Sequence, residues 1–203
     1  DWSLNARMPS TYVPLNATLG FKASPVNGLW FNIFGGYRIS KDELFCNLVD
    51  ADGYYFTHFL QDKAKTAYGG AELKYGYKDW FDASLKGTFY SWKTDNENEE
   101  LYLMTKPKFE LNFYAEAKVF EGLKVYLGYE YVQRKEYVIE EGNSSRDLGL
   151  GNISNLSVGA SYTFLKDLSV FGRVNNLLNK QYYYEYGYPA EKLNVLAGLS
   201  LVF

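Results

Sequence analysis

The sequence lacks several features on which protein functions commonly rest. It has no run of about eighteen apolar residues and therefore no transmembrane helix. With one cysteine, Cys46, it forms no internal disulfide. Its one histidine, His58, has no cysteine or carboxylate at ligand spacing, and the acidic segment 94–100 lacks the spacing and central glycine of a calcium loop. No phosphate loop, nucleophile elbow or zinc motif is present either. We therefore expect a protein that is not an enzyme and holds no metal or cofactor.

Aromatic residues are abundant. They make up 19% of the 203 residues and include 20 tyrosines. Amphipathic rings of this kind form girdles at the two interfaces of a membrane β-barrel. The 47% hydrophobic content and the net charge of −3 would suit a soluble domain equally well. The arrangement of residues along the chain must therefore decide the class of protein.

Nine segments alternate apolar and polar residues with the period of a β-strand. Their apolar sides carry no charge, whereas their polar sides carry lysine, arginine and carboxylates. Such strands suit a wall between lipid and a wet lumen, because a lysine or arginine facing the bilayer midplane costs about 2–4 kcal/mol. The predicted strands are residues 12–22, 28–38, 66–77, 81–92, 108–119, 123–133, 155–164, 168–176 and 192–203.

The connections between these strands alternate between short and long. Short ones at 23–27, 78–80, 121–122 and 165–167 alternate with long ones at 39–65, 93–107, 134–154 and 177–191. Outer-membrane barrels place short turns on the periplasmic side and long loops outside, and a single bacterial chain has an even number of strands. Because nine is odd, we expect at least one strand before Asp1. Residues 1–203 are thus interpreted as the C-terminal portion of an all-β, antiparallel up-and-down transmembrane barrel.

A soluble barrel of the lipocalin type is the alternative, since it has the same period with its apolar face turned inward. The odd number of strands and the alternation of loop lengths favour the membrane barrel. A third indication is a set of rings placed where the apolar faces meet the turns: Phe21, Tyr77, Phe81, Phe164 and Phe203.

The C-terminal part of the chain carries a family resemblance. It contains Arg-Val-Asn-Asn-Leu-Leu-Asn-Lys at 173–180, then a tyrosine-rich loop with Gly187 and Pro189, and finally an alternating strand that ends in Phe203. This succession resembles the C-terminal end of TonB-dependent outer-membrane receptors. The abundance of tyrosine and asparagine further resembles receptors of the Bacteroides group.

The resemblance implies a barrel of roughly 22 strands, an upstream plug domain, and a TonB box that couples to the inner-membrane energy complex. It implies import of a scarce nutrient, such as a metal chelate, cobalamin, a glycan or a peptide. A passive porin and a structural or adhesive barrel are alternatives that would lack the plug and the box. Expected partners are outer-membrane lipid, the barrel-assembly machinery and a surface lipoprotein, but no nucleic acid.

Candidate ligand contacts lie in the outer loops and on the lumen side. A guanidinium can hold an anionic ligand bidentately or bridge to a carboxylate of the lumen or plug. Tyrosines offer stacking faces and hydroxyls to a ligand, or they form an outer girdle. The candidates are Tyr54, Tyr55, His58, Arg173, Asn175, Tyr182, Tyr183, Tyr184, Tyr186 and Tyr188.

The last strand has a second predicted role. A C-terminal strand that alternates apolar residues and ends in phenylalanine resembles the signal that the barrel-assembly machinery reads by strand pairing at an open edge. The same face would also meet lipid, and both roles can hold together. The residues of this predicted signal are Ala197, Leu199, Leu201 and Phe203.

Overall fold

The computed structural model describes residues 10–48, 56–95, 99–136, 138–141, 144–147, 150–166, 168–185 and 188–201. Its elements are β1 (Tyr12–Val26), β2 (Leu29–Leu48), β3 (Phe56–Tyr77), β4 (Phe81–Thr94), α1 (Glu99–Met104), β5 (Pro107–Phe120), β6 (Leu123–Arg134), β7 (Val138–Glu141), β8 (Ser144–Asp147), β9 (Ile153–Leu165), β10 (Leu168–Asn175), β11 (Tyr183–Glu185), β12 (Tyr188–Pro189) and β13 (Asn194–Leu201). The nine predicted strands are all present. Among the described residues, no helix is long and apolar enough to span a membrane.

The main sheet has nine strands in the order β1-β2-β3-β4-β5-β6-β9-β10-β13. Each strand pairs antiparallel with the next long strand along the chain, and the small hairpins β7-β8 and β11-β12 lie in the connections. The predicted up-and-down architecture is therefore confirmed. β1 and β13 form the two edges of the described sheet.

The strand register places the predicted apolar positions on one face of the sheet. Directly opposed residues of an antiparallel pair share a face, and rows of such pairs run across many strands. One row contains Leu19, Gly35, Gly69, Phe89 and Phe109. A second row contains Val125, Ala160, Gly172 and Ala197. The pairing of Val125 with Ala160 shows that the apolar positions change from odd numbers in β6 to even numbers in β9.

This apolar face is open to the surroundings. Leu19 is 84% exposed and Leu199 is 74% exposed. Between Tyr77 at the short-turn end and Ala67, β3 spans about 33 Å. At the usual tilt of about 40° this corresponds to roughly 25 Å, the height of the apolar band of an outer-membrane barrel. Exposed rings gather at the short-turn end of the band, namely Tyr77, Trp80, Phe120, Tyr162 and Phe164.

The short turns depend on glycine at two places. Gly28 and Gly122 adopt φ values of 82° and 86°, a region that L side chains rarely occupy. An added Cβ would lie 2.0 Å from the carbonyl oxygen of Gly76 at the first turn and 2.4 Å from that of Thr163 at the second. Each turn carbonyl also accepts a hydrogen bond from the adjoining strand, from Gly76 N at 2.7 Å and from Thr163 N at 2.9 Å.

The long connections contain more structure than the sequence predicts. The segment 39–65 was expected to be a loop, but β2 and β3 continue through it and remain paired from Ile39 with Lys65 to Leu48 with Phe56. The expectation of a loop was wrong because lysines such as Lys41, Lys63 and Lys65 occupy the positions that continue the apolar face, so the alternation that marks a strand is lost although the pairing continues. In the segment 93–107, likewise, α1 begins within the acidic segment, at Glu99, and continues to Met104.

Candidate ligand-binding face

Within the apolar band, the charged residues of the strands lie on the face opposite the apolar rows. A continuous polar row crosses six strands through Asn32, Glu72, Lys86, Asn112, Glu130 and Asn155. The alternation predicts this segregation, because successive side chains of a strand point to opposite faces. In a closed barrel this face would line the lumen.

A depression of about 480 Å³ lies on this polar face, over β5, β6, β9 and β10. It combines a cation, a carboxylate, amides, a hydroxyl and aromatic rings. Its polar lining includes Asn112, Tyr126, Glu130, Asn155, Ser157 and Arg173. These groups can hydrogen-bond and stack with a ligand that itself carries polar and planar groups.

Arg173 is the cation of the depression. Its guanidinium carbon lies 5.8 Å from the ring centroid of Tyr126, a cation–π distance. Gly159, directly opposite Arg173, leaves room for the Tyr126 phenol, since an added Cβ would lie 2.3 Å from it. Within the described part of the chain, Arg173 forms no ion pair. The exposed guanidinium is therefore open to an anionic group.

Asn176 organises the outer end of this region. It is 1% exposed and has a φ of 49°. Its Nδ2 donates to the carbonyl oxygens of Lys180 at 2.7 Å and Glu191 at 3.0 Å, while its Oδ1 accepts from Lys180 N at 3.2 Å. The backbone N–H of Asn176 donates to Oδ1 of Asn155 at 3.1 Å. One side chain thus ties both ends of the tyrosine loop (residues 181–190) to the sheet.

The tyrosine loop packs onto the sheet through Tyr182. This residue is 5% exposed and clusters with Val132 and Ile153. Ala190 N donates to the carbonyl oxygen of Tyr182 at 2.8 Å and so closes the loop. Because its ring is buried, Tyr182 holds the loop in place in this structure.

The next two tyrosines bring the loop to the depression. Arg134 Nη1 donates to the carbonyl oxygen of Tyr183 at 2.5 Å. The hydroxyl of Tyr184 donates to Oε2 of Glu130 at 2.8 Å, and Glu130 also lines the depression. Burial and this hydrogen bond raise the pKa of Tyr184. The outer loop and the polar depression thus meet at Glu130.

The other residues predicted to contact a ligand lie in different parts of the sheet and its loops. Asn175 is half-buried and pairs with Asn194, on the same face as Arg173, and Tyr188 is 72% exposed. His58 lies in the outer part of β3, opposite Cys46. Tyr54, Tyr55 and Tyr186 lie outside the described residues. A role in ligand contact remains a prediction for all ten candidates.

In the predicted assembly signal, Leu199 and Leu201 are exposed on the edge strand β13. Ala197 lies in the same strand and on the same face, opposite Gly172. Phe203 lies outside the described residues. Recognition of this strand by the assembly machinery stays a prediction.

A cluster that sequence reasoning missed joins α1 to the outer part of β2. Glu43 contacts Tyr102, Lys106 and Ser40, and Tyr102 is fully buried. The sequence feature that could have predicted this cluster is the short apolar run at 101–104, which lies inside an otherwise polar connection. Among the described residues, no group of histidine, cysteine and carboxylate side chains could hold a metal ion.

No protein-family model and no curated protein matches the chain. Solved structures do match it. A variant of the ferric enterobactin receptor PfeA of Pseudomonas aeruginosa is 16% identical with a TM-score of 0.64, over 95% of this chain and 31% of that one. The siderophore receptor PirA of Acinetobacter baumannii is 15% identical with a TM-score of 0.64, over 93% and 31%. The ferripyoverdine receptor of the outer membrane of P. aeruginosa is 15% identical with a TM-score of 0.65, over 92% and 26%.

These similarities establish the fold. The chain has the fold of part of the barrel of TonB-dependent outer-membrane receptors, as the resemblance in its C-terminal part predicts. It spans less than a third of the length of each of these three receptors. The ferripyoverdine receptor is a protein of the outer membrane, which is the location predicted for this chain. The suggested likeness to the Bacteroides group gains no support, since these receptors come from Pseudomonas and Acinetobacter.

Proposed function

We propose that this chain forms part of the wall of a TonB-dependent receptor in a bacterial outer membrane, and that the whole protein imports a scarce nutrient. The observation that carries the proposal is the polar depression around Arg173, which lies behind an uncharged outer face and meets the tyrosine loop at Glu130. A nutrient that enters from outside would meet the loop first and the depression next. Coupling to the TonB complex would use a region upstream of residues 1–203.

The chemistry of the depression suits an anionic ligand with planar groups. Arg173 offers a guanidinium without an ion-pair partner among the described residues, and Tyr126 and Tyr184 offer rings and hydroxyls. A guanidinium binds paired anionic oxygens in a two-point geometry. Two of the similar structures are receptors for ferric enterobactin and for ferripyoverdine. A ferric chelate is therefore the ligand class to test first, ahead of cobalamin, glycans and peptides.

The test measures binding and uptake of ferric enterobactin and ferripyoverdine by the intact protein. Arg173→Gln should weaken chelate binding by about 1–3 kcal/mol, the usual cost of losing a charged hydrogen bond. Lys74→Gln is the matched control, because Lys74 is a cation of the same polar face that lies over Trp30, and neither residue lines the depression. Equal losses in both variants would show a general effect of charge and would contradict a site at Arg173.

Uptake in cells with and without TonB separates the proposed receptor from a passive porin. Accumulation of the chelate should stop when TonB is deleted, because the proposed import requires energy from the inner membrane. Uptake that persists without TonB, together with single-channel conductance in planar bilayers, would contradict the proposed receptor and support a passive porin.

A further inference from the structure

A cluster of lysines lies on the lipid-facing side of the sheet, at the end of the long loops. Lys65 opposes Lys93, and Lys63 opposes Lys41 in the neighbouring pair. Opposed residues share a face, and these positions continue the apolar rows of β2, β3 and β4. We call Lys41, Lys63, Lys65 and Lys93 the outer lysine cluster.

The outer lysine cluster begins where the apolar band ends. Ala67 and its partners Tyr37 and Ser91 form the last uncharged row of the band, and Lys65 lies one position further outward on the same face. Tyr37 is 38% exposed, as expected of a ring at a membrane interface. The lysines therefore lie at the level of the outer-leaflet headgroups, where their long side chains can extend into the polar layer.

The cluster keeps a net positive charge. Asp95 bridges Lys63 at 3.6 Å and Lys65 at 3.7 Å, and it is itself half-exposed. Its single carboxylate is shared by two ammonium groups at long distances. Lys41 and Lys93 are exposed and form no ion pair with any described residue. A partner with several negative charges would satisfy this cluster better than Asp95 does.

Below the lysines, the same face has an apolar groove of about 640 Å³. It is lined by small residues such as Gly69, Ala71 and Gly87, and the rings of Phe89 and Phe109, packed 4.4 Å apart between centroids, border it. From Lys65 to Gly69 the distance along β3 is about 13 Å. One molecule with an anionic head and an apolar tail could therefore span both features.

We propose that the outer lysine cluster and this groove together bind one lipid of the outer leaflet that carries phosphate groups and acyl chains. The phosphates would lie against Lys65 and Lys93, and an acyl chain would fill the groove over Gly69, Ala71 and Gly87, beside the packed rings of Phe89 and Phe109. Charge complementarity selects this occupant, because basic clusters beside an apolar membrane surface bind anionic headgroups. The inference rests on the membrane placement in the proposed function, but it does not depend on the transported nutrient.

The test is native mass spectrometry of the intact protein in detergent, with bisphosphorylated lipid A as the probe and its dephosphorylated form as the comparison. The double variant Lys65→Gln/Lys93→Gln should lower occupancy by the phosphorylated lipid by about tenfold or more. The control Lys74→Gln/Lys86→Gln removes the same charge from the polar face and should leave occupancy unchanged. Lys74 and Lys86 flank Glu72 there, away from the lipid side.

A second variant tests the groove. An added Cβ at Gly69 would meet only the carbonyl oxygen of Phe34, at 3.8 Å, so the position has room for a side chain, and the γ-methyl groups of Gly69→Val would extend into the groove that Gly69 lines. It should lower lipid occupancy with the lysines intact. The shift in electrophoretic mobility on heating, which reports a folded barrel, checks that each variant is assembled.

Three outcomes would overturn the proposal. The first is equal binding of phosphorylated and dephosphorylated lipid, and the second is equal loss in the lysine variant and its control. The third is a protein dimer that Gly69→Val dissociates, which would make the groove a contact between two copies. Lysine-dependent lipid binding in a protein that takes up no ferric chelate would support this proposal and contradict only the transport proposal.

Discussion

The hydroxyl of Tyr102 donates a 2.8 Å hydrogen bond to Oε2 of Glu43 and so ties α1 to the outer extension of β2. Lys106 Nζ lies 2.7 Å from Oε1 of the same carboxylate, and Ser40 donates to Oε2 at 2.9 Å. The Tyr102 ring also packs edge-on against Phe45, at 5.4 Å between centroids. The helix is therefore a packed part of the outer hairpin, held around one carboxylate.

The docking of α1 should depend on the charge of Glu43. Burial alone would raise the pKa of Glu43, but the hydrogen bonds from Lys106, Tyr102 and Ser40 outweigh it and hold the pKa below the usual 4.5. A carboxyl with a lowered pKa stabilises the folded form fully above its unfolded pKa, and the stabilisation is lost as the pH falls through the folded value. We expect the protection factors of the amide hydrogens in the 99–106 segment, which correct for the slower intrinsic exchange in acid, to fall below about pH 4.5.

Glu43→Gln provides the control for this pH dependence. It leaves a side chain of the same size but removes the charge, so α1 should loosen at neutral pH by about 1–3 kcal/mol. The variant should no longer respond to pH in the acid range. If the variant and the unmodified protein respond alike in hydrogen-exchange mass spectrometry, another carboxylate controls the helix.

Replacing Asn176 by alanine should release the tyrosine loop. The change removes two donated bonds and one accepted bond from a buried position, leaving the carbonyl of Lys180 without that donor. We expect a loss of about 2–3 kcal/mol of local stability and faster exchange over residues 181–190. Asn194→Ala is the comparison, because the side chain of Asn194 bonds only to the side chain of Glu191 among the described residues, so its loss should have little effect. Unchanged protease resistance of the loop in Asn176→Ala would argue against the organising role of Asn176.

The fit of Tyr126 over Gly159 predicts a sharp difference between two glycines of the same sheet. Gly159→Ala places a methyl group 2.3 Å from the Tyr126 phenol and should push that ring off the strand, at a cost of about 1–3 kcal/mol. Gly172→Ala has open space around the new methyl and should be neutral. Urea unfolding of the refolded protein in lipid vesicles measures both, and equal midpoints would show that the ring moves aside without cost.

Introducing one lysine should destabilise the protein on the apolar face of the sheet but not on the polar face. Leu85→Lys puts an ammonium on the apolar face in the middle of the band, at a cost of about 2–4 kcal/mol. Ser84→Lys puts the same group on the polar face, opposite Lys74 and Tyr114. We expect the first variant to be much less stable to urea in lipid vesicles than the second. The reverse order would mean that the faces are assigned the wrong way round.

The strands show which features the sequence predicts well. The faces of β9 and β10 follow from alternation alone, because a strand has only two sides and one of them must be uncharged to meet lipid. The outer extension of β2 and β3 was not predicted, since beyond the membrane this constraint no longer applies. Its residues pair because the hairpin begun in the membrane continues, as the pairing of Lys41 with Lys63 shows.

By itself, the sequence determined the number of long strands, their faces, the alternation of turns and loops, and the polar side on which Arg173 lies. All of these depend on local periodicity or on single residues at turns such as Gly122. Only the tertiary structure decided that Tyr184 reaches Glu130, that Tyr102 reaches Glu43, and that four lysines gather above one groove. Those contacts depend on strand register and on residues far apart in the chain, which a local pattern does not encode.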